Sequence, residues 1–153
     1  MTEKMLQFTH LPQKTPAKRQ VVERRADFDE IYKRFDVQAA SQQASRCSQC
    51  GIPFCSIHCP LSNNIPDWLK LTAEGRLEEA YELSSATNTF PEICGRICPQ
   101  DRLCEGNCVI EKGFESVTIA SRTPAISRHH RRRPGRPRRR RGVAQPRLPG
   151  HHL

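Results

Sequence analysis

Eight cysteines lie between Cys47 and Cys108 of this 153-residue chain, and none lies elsewhere. Three chemistries use thiols at that density: disulfides, structural zinc and iron–sulfur clusters. Disulfides need an oxidising compartment, and the opening Met1-Thr-Glu-Lys leads into no apolar signal segment. The chain is therefore expected in the cytoplasm, and cysteine spacing must separate zinc from iron–sulfur. The first group reads Cys47-x2-Cys50-x4-Cys55-x3-Cys59-Pro60. This is the bacterial ferredoxin run C-x2-C-x2-C-x3-C-P with two more residues in its middle gap. A cuboidal cluster draws three thiolates from one tight loop and a fourth from a distant segment. Zinc instead favours separated C-x2-C knuckles, and only one C-x2-C is present. The second group, Cys94-x3-Cys98-Pro99-x4-Cys104-x3-Cys108, repeats the x3 spacing and the Cys-Pro step. Eight thiols in two groups suit two four-iron clusters.

The elements that must position them are short and helical. Residues 17–35 place Val21, Phe28, Ile31, Tyr32 and Phe35 near one face of a helix whose outer face is charged. Asp36 is placed to cap a second helix running to Arg46, which delivers Cys47 at its end. Asn63 or Asn64 caps a third, with Pro66 in its first turn, Trp68, Leu69 and Leu71 following, and Gly75 closing it. Leu77, Ala80, Tyr81 and Ser84 mark one face of a fourth, over residues 76–85. These helices carry no ligands, so their task is to bring the second cysteine group back against the first. Trp68 and Tyr81 read as core residues rather than a stacking platform for bases. Gly95, Gly106 and Gly113 would let backbone N–H groups approach cluster sulfides. His58 reads as a supporting or surface group, not a ligand. Arg46, Arg96 and Arg102 either offset cluster charge or are ordinary solvated residues. The expected fold is all-α, short helices and loops wrapped around two iron–sulfur clusters.

Charge is divided unevenly. The formal net charge is +9, yet residues 1–121 hold 14 Lys+Arg against 16 Asp+Glu, and residues 122–153 hold 11 Arg with no acid. A near-neutral body is thus joined to an arginine tail, and the basic pI is no argument about the body. Three stretches follow: an extended leader over 1–16, a helical domain over 17–119, and an Arg/Pro-rich tail over 120–153. No apolar run approaches the roughly 18 residues of a membrane span.

Three stretches resemble a known family: Ala44-Ser-Arg-Cys-Ser-Gln-Cys-Gly51, Cys59-Pro-Leu-Ser-Asn-Asn-Ile-Pro-Asp-Trp-Leu69, and Phe90 through Cys108. The chain is similar there to the N-terminal iron–sulfur domain of the small (beta) subunit of bacterial NADPH-dependent glutamate synthase. A related domain occurs in dihydropyrimidine dehydrogenase. The resemblance implies a helical module with two [4Fe-4S] clusters, passing electrons between the FAD of its own subunit and the large (alpha) subunit. It further implies that Cys47, Cys50, Cys55 and Cys108 hold one cluster, and Cys59, Cys98 and Cys104 the other. The family's remaining ligand, an amide or carboxylate, would fall near Thr123, where neither residue type is present. Cys94 is the substitute within the cysteine set.

The resemblance stops after Val117-Thr-Ile119. No G-x-G occurs anywhere in the chain, so the dinucleotide fingerprint of FAD- and NADPH-binding domains is absent. The tail has arginine without lysine, abundant proline and no aromatics, as a GC-rich alternative reading frame would yield. No catalytic constellation is visible, and the chain alone is not expected to oxidise NADPH. Two other readings stand beside electron transfer. One is a zinc-stabilised nucleic-acid binder using the arginine tail, although a tail without aromatics offers phosphate contacts only and no selectivity. The other is a non-functional fragment whose second cluster lacks a ligand.

Overall fold

Among the described residues, seven α-helices of four to nine residues follow a 3-10 turn at Gln7–Thr9: α1 (Val21–Ala26), α2 (Val37–Ala44), α3 (Phe54–Ile57), α4 (Ile65–Ala73), α5 (Leu77–Ser85), α6 (Pro91–Ile97) and α7 (Glu111–Phe114). The computed structural model describes residues 4–33 and 35–119. The arginine tail and the position near Thr123 lie outside those residues. No strand occurs among the described residues, and the sole bridge of β type there pairs Lys18 with Tyr32.

The hub is α4, which packs against both α2 and α5. Small residues make the approach close: Ala40, Ala44, Ala73 and Ala80 are all essentially buried, around Trp68 and Leu69. The hub is also tied by polar groups that the packing would otherwise leave unpaired. The Ser41 hydroxyl donates to the Ala73 carbonyl at 2.7 Å. The Trp68 indole donates to Asn63 Oδ1 at 2.8 Å, and Asn63 Nδ2 donates to the Ser84 carbonyl at 2.8 Å. Asn63 thus joins the start of α4 to the end of α5, and Trp68 is core, as its helical spacing predicts.

Local signals explain the helix limits. Asp36 accepts the Ala39 N–H at 2.6 Å and opens α2. Asn64 precedes α4, but its amide donates to the Asp67 carboxylate at 2.6 Å and its side chain accepts no helix N–H. Gly75 takes a left-handed φ of +77°, and the Arg76 N–H returns to the Leu71 carbonyl at 2.8 Å, closing the last turn.

The helix expected over 17–35 is much shorter. Only α1 forms, and Asp27 ends it in an extended conformation. The Asp27 carboxylate is gripped by the Arg19 guanidinium at 2.6 and 2.9 Å and by the Asp29 N–H at 2.9 Å. The chain therefore doubles back, with Arg19 N–H on the Ile31 carbonyl and Lys33 N–H on the Ala17 carbonyl. Helical spacing of apolar residues does not bury them here: Phe28 and Val21 are fully or largely exposed. A local carboxylate turn outcompetes the helix.

The described part of the leader, residues 4–16, carries the 3-10 turn at Gln7–Thr9 and is pinned. Its Leu6 and Gln7 N–H groups bond the carbonyls of Cys47 and Ser45, and Lys14 N–H bonds Gln43 Oε1 at 2.9 Å. The fastening is Arg46, whose residue surface is 0% exposed. Its guanidinium donates to the carbonyls of Leu11, Phe114, Glu115 and Ser116. One side chain thereby holds the leader and the segment after α7 onto the end of α2.

Candidate metal centre

The first cysteine group stands directly on this hub. Ser45 caps α2, the chain turns with the Cys47 N–H on the Ala44 carbonyl at 3.1 Å, and Cys47 enters the core at 6% exposure. Ser48 and Gln49 form the gap to Cys50. Ser48 Oγ lies 2.9 Å from Cys50 Sγ. Gln49 has a left-handed φ of +52°, and its Nε2 donates to the Pro66 carbonyl at 2.9 Å and to Cys47 Sγ at 3.4 Å. Cys55 rides on α3, and Cys108 arrives from the far end of the second group through a turn onto the Glu105 carbonyl at 3.0 Å. Cys47, Cys50, Cys55 and Cys108 line one cavity, walled by Phe54, Leu69, Val117 and Ile119. Burial raises the Cys47 thiol, with Cys108 and Cys50 adding to it. Burial, with neighbouring Cys47 and Cys108, pushes Cys55 up to about 12. Four thiols that repel one another's charge in an apolar-walled space are a donor set for a cation-rich group, and the set fits an iron–sulfur cluster.

The second group is laid out differently. Cys94 lies within α6 and Cys98 caps it, its N–H on the Cys94 carbonyl at 3.1 Å. Cys94 Sγ also faces Asn88 Oδ1 at 3.5 Å. The Cys98 thiol is raised by burial and by the nearby Cys94 and Cys59. Burial, the Glu105 carboxylate and Cys59 push Cys104 up to about 12. Cys98 is thus in electrostatic reach of Cys94 and Cys59, and Cys104 of Cys59, which makes these four a second set of neighbouring thiols. The loop between Cys98 and Cys108 is shaped by Gly106, whose missing Cβ would stand 1.8 Å from the Asp101 carbonyl oxygen. Among the described residues no three His, Cys, Asp or Glu side chains gather tightly enough to share one metal ion. Tetrahedral zinc would need sulfurs about 3.8 Å apart, from Zn–S bonds of about 2.3 Å.

Several neighbouring residues do other work than their spacing suggests. Gly106 permits a tight turn against Asp101, not the approach of an N–H to a sulfide. Gly95 lies inside α6, and Gly113, inside α7, meets nothing within 4 Å. His58 is exposed and closes α3, its Nδ1 3.0 Å from the Phe54 carbonyl oxygen. Arg46 is neither solvated nor chiefly a counter-charge. Its pKa is lowered by burial, with Glu115 and Cys108 opposing that shift. Arg96 pairs with Glu30 at 3.1 Å and stacks over Tyr32, and Arg102 is exposed. Ser48 and Gln49 escaped the sequence reading. Their only signal there was position, as the two residues inside the single C-x2-C.

Helical scaffold and thiol-lined cavity define an iron–sulfur domain, and comparison with known proteins agrees. Residues 24–133 match the family described as dihydropyrimidine dehydrogenase domain II, 4Fe-4S cluster, and the chain belongs to that family. It is 69% identical over 120 residues to the glutamate synthase [NADPH] small chain of Azospirillum brasilense, covering 78% of this chain and 25% of that one. It is 50% identical over 121 residues to the corresponding small chain of Escherichia coli K12, with 79% and 26% covered. The putative oxidoreductase AegA of the same organism is 49% identical over 107 residues, 69% of this chain and 16% of its own. The chain thus spans about a quarter of the length of the glutamate synthase small chains it matches. No helix among the described residues is long and apolar enough to cross a membrane.

Proposed function

We propose that this chain carries two [4Fe-4S] clusters and relays electrons as the N-terminal module of a glutamate synthase small subunit. In this reading Cys47, Cys50, Cys55 and Cys108 hold one cluster. Cys59, Cys98 and Cys104 hold the other, with Cys94 as its fourth thiolate. The observation that carries the reading is the cavity that Cys47, Cys50, Cys55 and Cys108 share, and the nearness of Cys59 to Cys98 and Cys104 supports the second set. Each cluster, when bound, supplies one-electron transfer without any acid, base or nucleophile from the protein. The chain's own residues do the rest. Phe54, Leu69, Val117 and Ile119 exclude water from the first set, and the α2–α4–α5 hub fixes Cys47 against Cys55 and Cys108.

FAD and NADPH belong, by the resemblance, to the part of such subunits that follows the matched stretch, and the partner is the glutamate synthase large subunit in the cytoplasm. Iron counting on anaerobically purified or reconstituted chain tests the proposal. It should be brown and hold about eight irons with equal sulfide, four per cluster. Colourless protein with two tightly held zinc ions overturns it.

A further inference from the structure

We infer that Gln49 is a positioning residue that sets the reduction potential of the first cluster through its side-chain amide, an inference that rests on Cys47 being a ligand of that cluster. The two residues inside the C-x2-C each face a thiol of the motif. Ser48 Oγ lies 2.9 Å from Cys50 Sγ, and Gln49 Nε2 donates to Cys47 Sγ at 3.4 Å. The Gln49 amide has two hydrogens, and both are received: the second goes to the Pro66 carbonyl at 2.9 Å. Pro66 lies in the first turn of α4, the hub of the fold. The donor is therefore fixed to the scaffold and does not swing with the loop.

Backbone conformation reinforces this. Gln49 is held at φ +52°, a region that glycine occupies at less cost. The acceptor is also the most buried of the eight thiols, so little water competes for the sulfur and the bond counts for more. Reduction adds negative charge to a cluster and its thiolates, and an N–H aimed at a ligating sulfur favours the reduced form. Gln49 accordingly raises the potential of the first cluster and leaves the second alone.

The experiment uses the full chain, loaded anaerobically with iron and sulfide, as wild type, Gln49→Gly and Gln49→Leu. Gln49→Gly removes the amide while relieving the backbone, so it separates the hydrogen bond from strain. Potentiometric titration followed by EPR should show one cluster's midpoint moved to more negative potential in both variants. The other midpoint and the iron content should be unchanged. Unmoved midpoints at full iron content overturn the role of Gln49, as does an equal shift of both clusters. A wild type that takes up no iron removes the underlying reading with it. A readout on the wild type stands apart from any variant's folding. Chain labelled with 15N at glutamine side chains should show a weak nitrogen coupling to the reduced cluster in pulsed EPR, and its absence counts against the proposal.

Discussion

The two cysteine groups differ in how much of the fold stands behind them. Cys47 is itself part of the core, α2 ends on it, and α4 receives Gln49 beneath the loop. Of the second set, Cys59 and Cys104 touch that core, whereas Cys94 and Cys98 belong to α6. On α6 only Pro91 is buried, and Ile93 and Ile97 are 49% and 74% exposed. Its bracing comes from outside the hub, through Arg96 to Glu30 and Tyr32 in the doubled-back segment. The first site is thus a consequence of folding the hub. The second depends on local turns and on its fourth ligand.

Replacing one thiol in each group should break this comparison most visibly. Under the proposed ligand sets Cys108→Ser removes the thiolate that closes the first, and the loaded chain should fall from about eight irons to about four. Because metal binding and folding are coupled, thermal unfolding should also move sharply downward. Cys94→Ser should cost the second cluster alone, leaving the EPR signal of the first intact. Full iron content in Cys94→Ser would exclude Cys94 as the fourth ligand.

Next in size is Arg46→Met. Four backbone carbonyls lose their donor at once in a buried place, and an unpaired buried acceptor costs about 1–3 kcal/mol. With partial relaxation, a loss of about 3–5 kcal/mol is expected in anaerobic urea unfolding followed by circular dichroism. The first cluster should be released before the second, since the strap that Arg46 holds carries Val117 and Ile119, two walls of its cavity. Gly106→Ala reverses the order. The new Cβ overlaps the Asp101 carbonyl, the stretch from Cys98 to Cys104 that holds that carbonyl must shift, and about 3 kcal/mol is lost, the upper end of overpacking costs. Here the second cluster should be perturbed more strongly, as read by EPR line shape.

Much of the hub was legible because its signals are local. Asp36 as a cap, Gly75 as a stop, and Trp68, Leu69, Leu77 and Ala80 at helical spacing each act within a few residues. What escaped the sequence depends on partners far along the chain. Arg46 reads as a charge near a thiol until Leu11 and residues 114–116 are brought around it. Gln49 reads as loop filler until α4 lies beneath it. The helix expected over 17–35 failed for the opposite reason. Its apolar spacing was real, but Arg19, Asp27 and Asp29 hold one another so closely that the chain turns before the spacing can be used. The two runs of cysteines were readable from spacing, whereas the placing of Cys108 with Cys47, Cys50 and Cys55 came from the family resemblance. Which thiol completes the second set was not readable, because α6 puts Cys94 beside Cys98 by helical geometry whether or not it binds.

The smallest expected effect concerns that doubled-back segment. The Arg19 guanidinium, helped by the Asp29 N–H, holds the Asp27 carboxyl down at about 2, below its usual 3.8. A carboxyl lowered by folding contributes stability that is complete above the unfolded value and disappears as pH falls through the folded one. The turn should therefore hold from neutral pH to about 4 and open between about pH 4 and 2. NMR titration of the Asp27 carboxyl in metal-free chain checks this directly. Asp27→Asn should loosen the turn at every pH, yet leave iron content at the wild-type value and the first cluster's midpoint unmoved. If instead it lowers iron content, then Glu30 and Tyr32 must be holding α6 through Arg96. The second site would then depend on a segment some 60 residues before Cys94, and its weak footing in the hub would be made good from the other side.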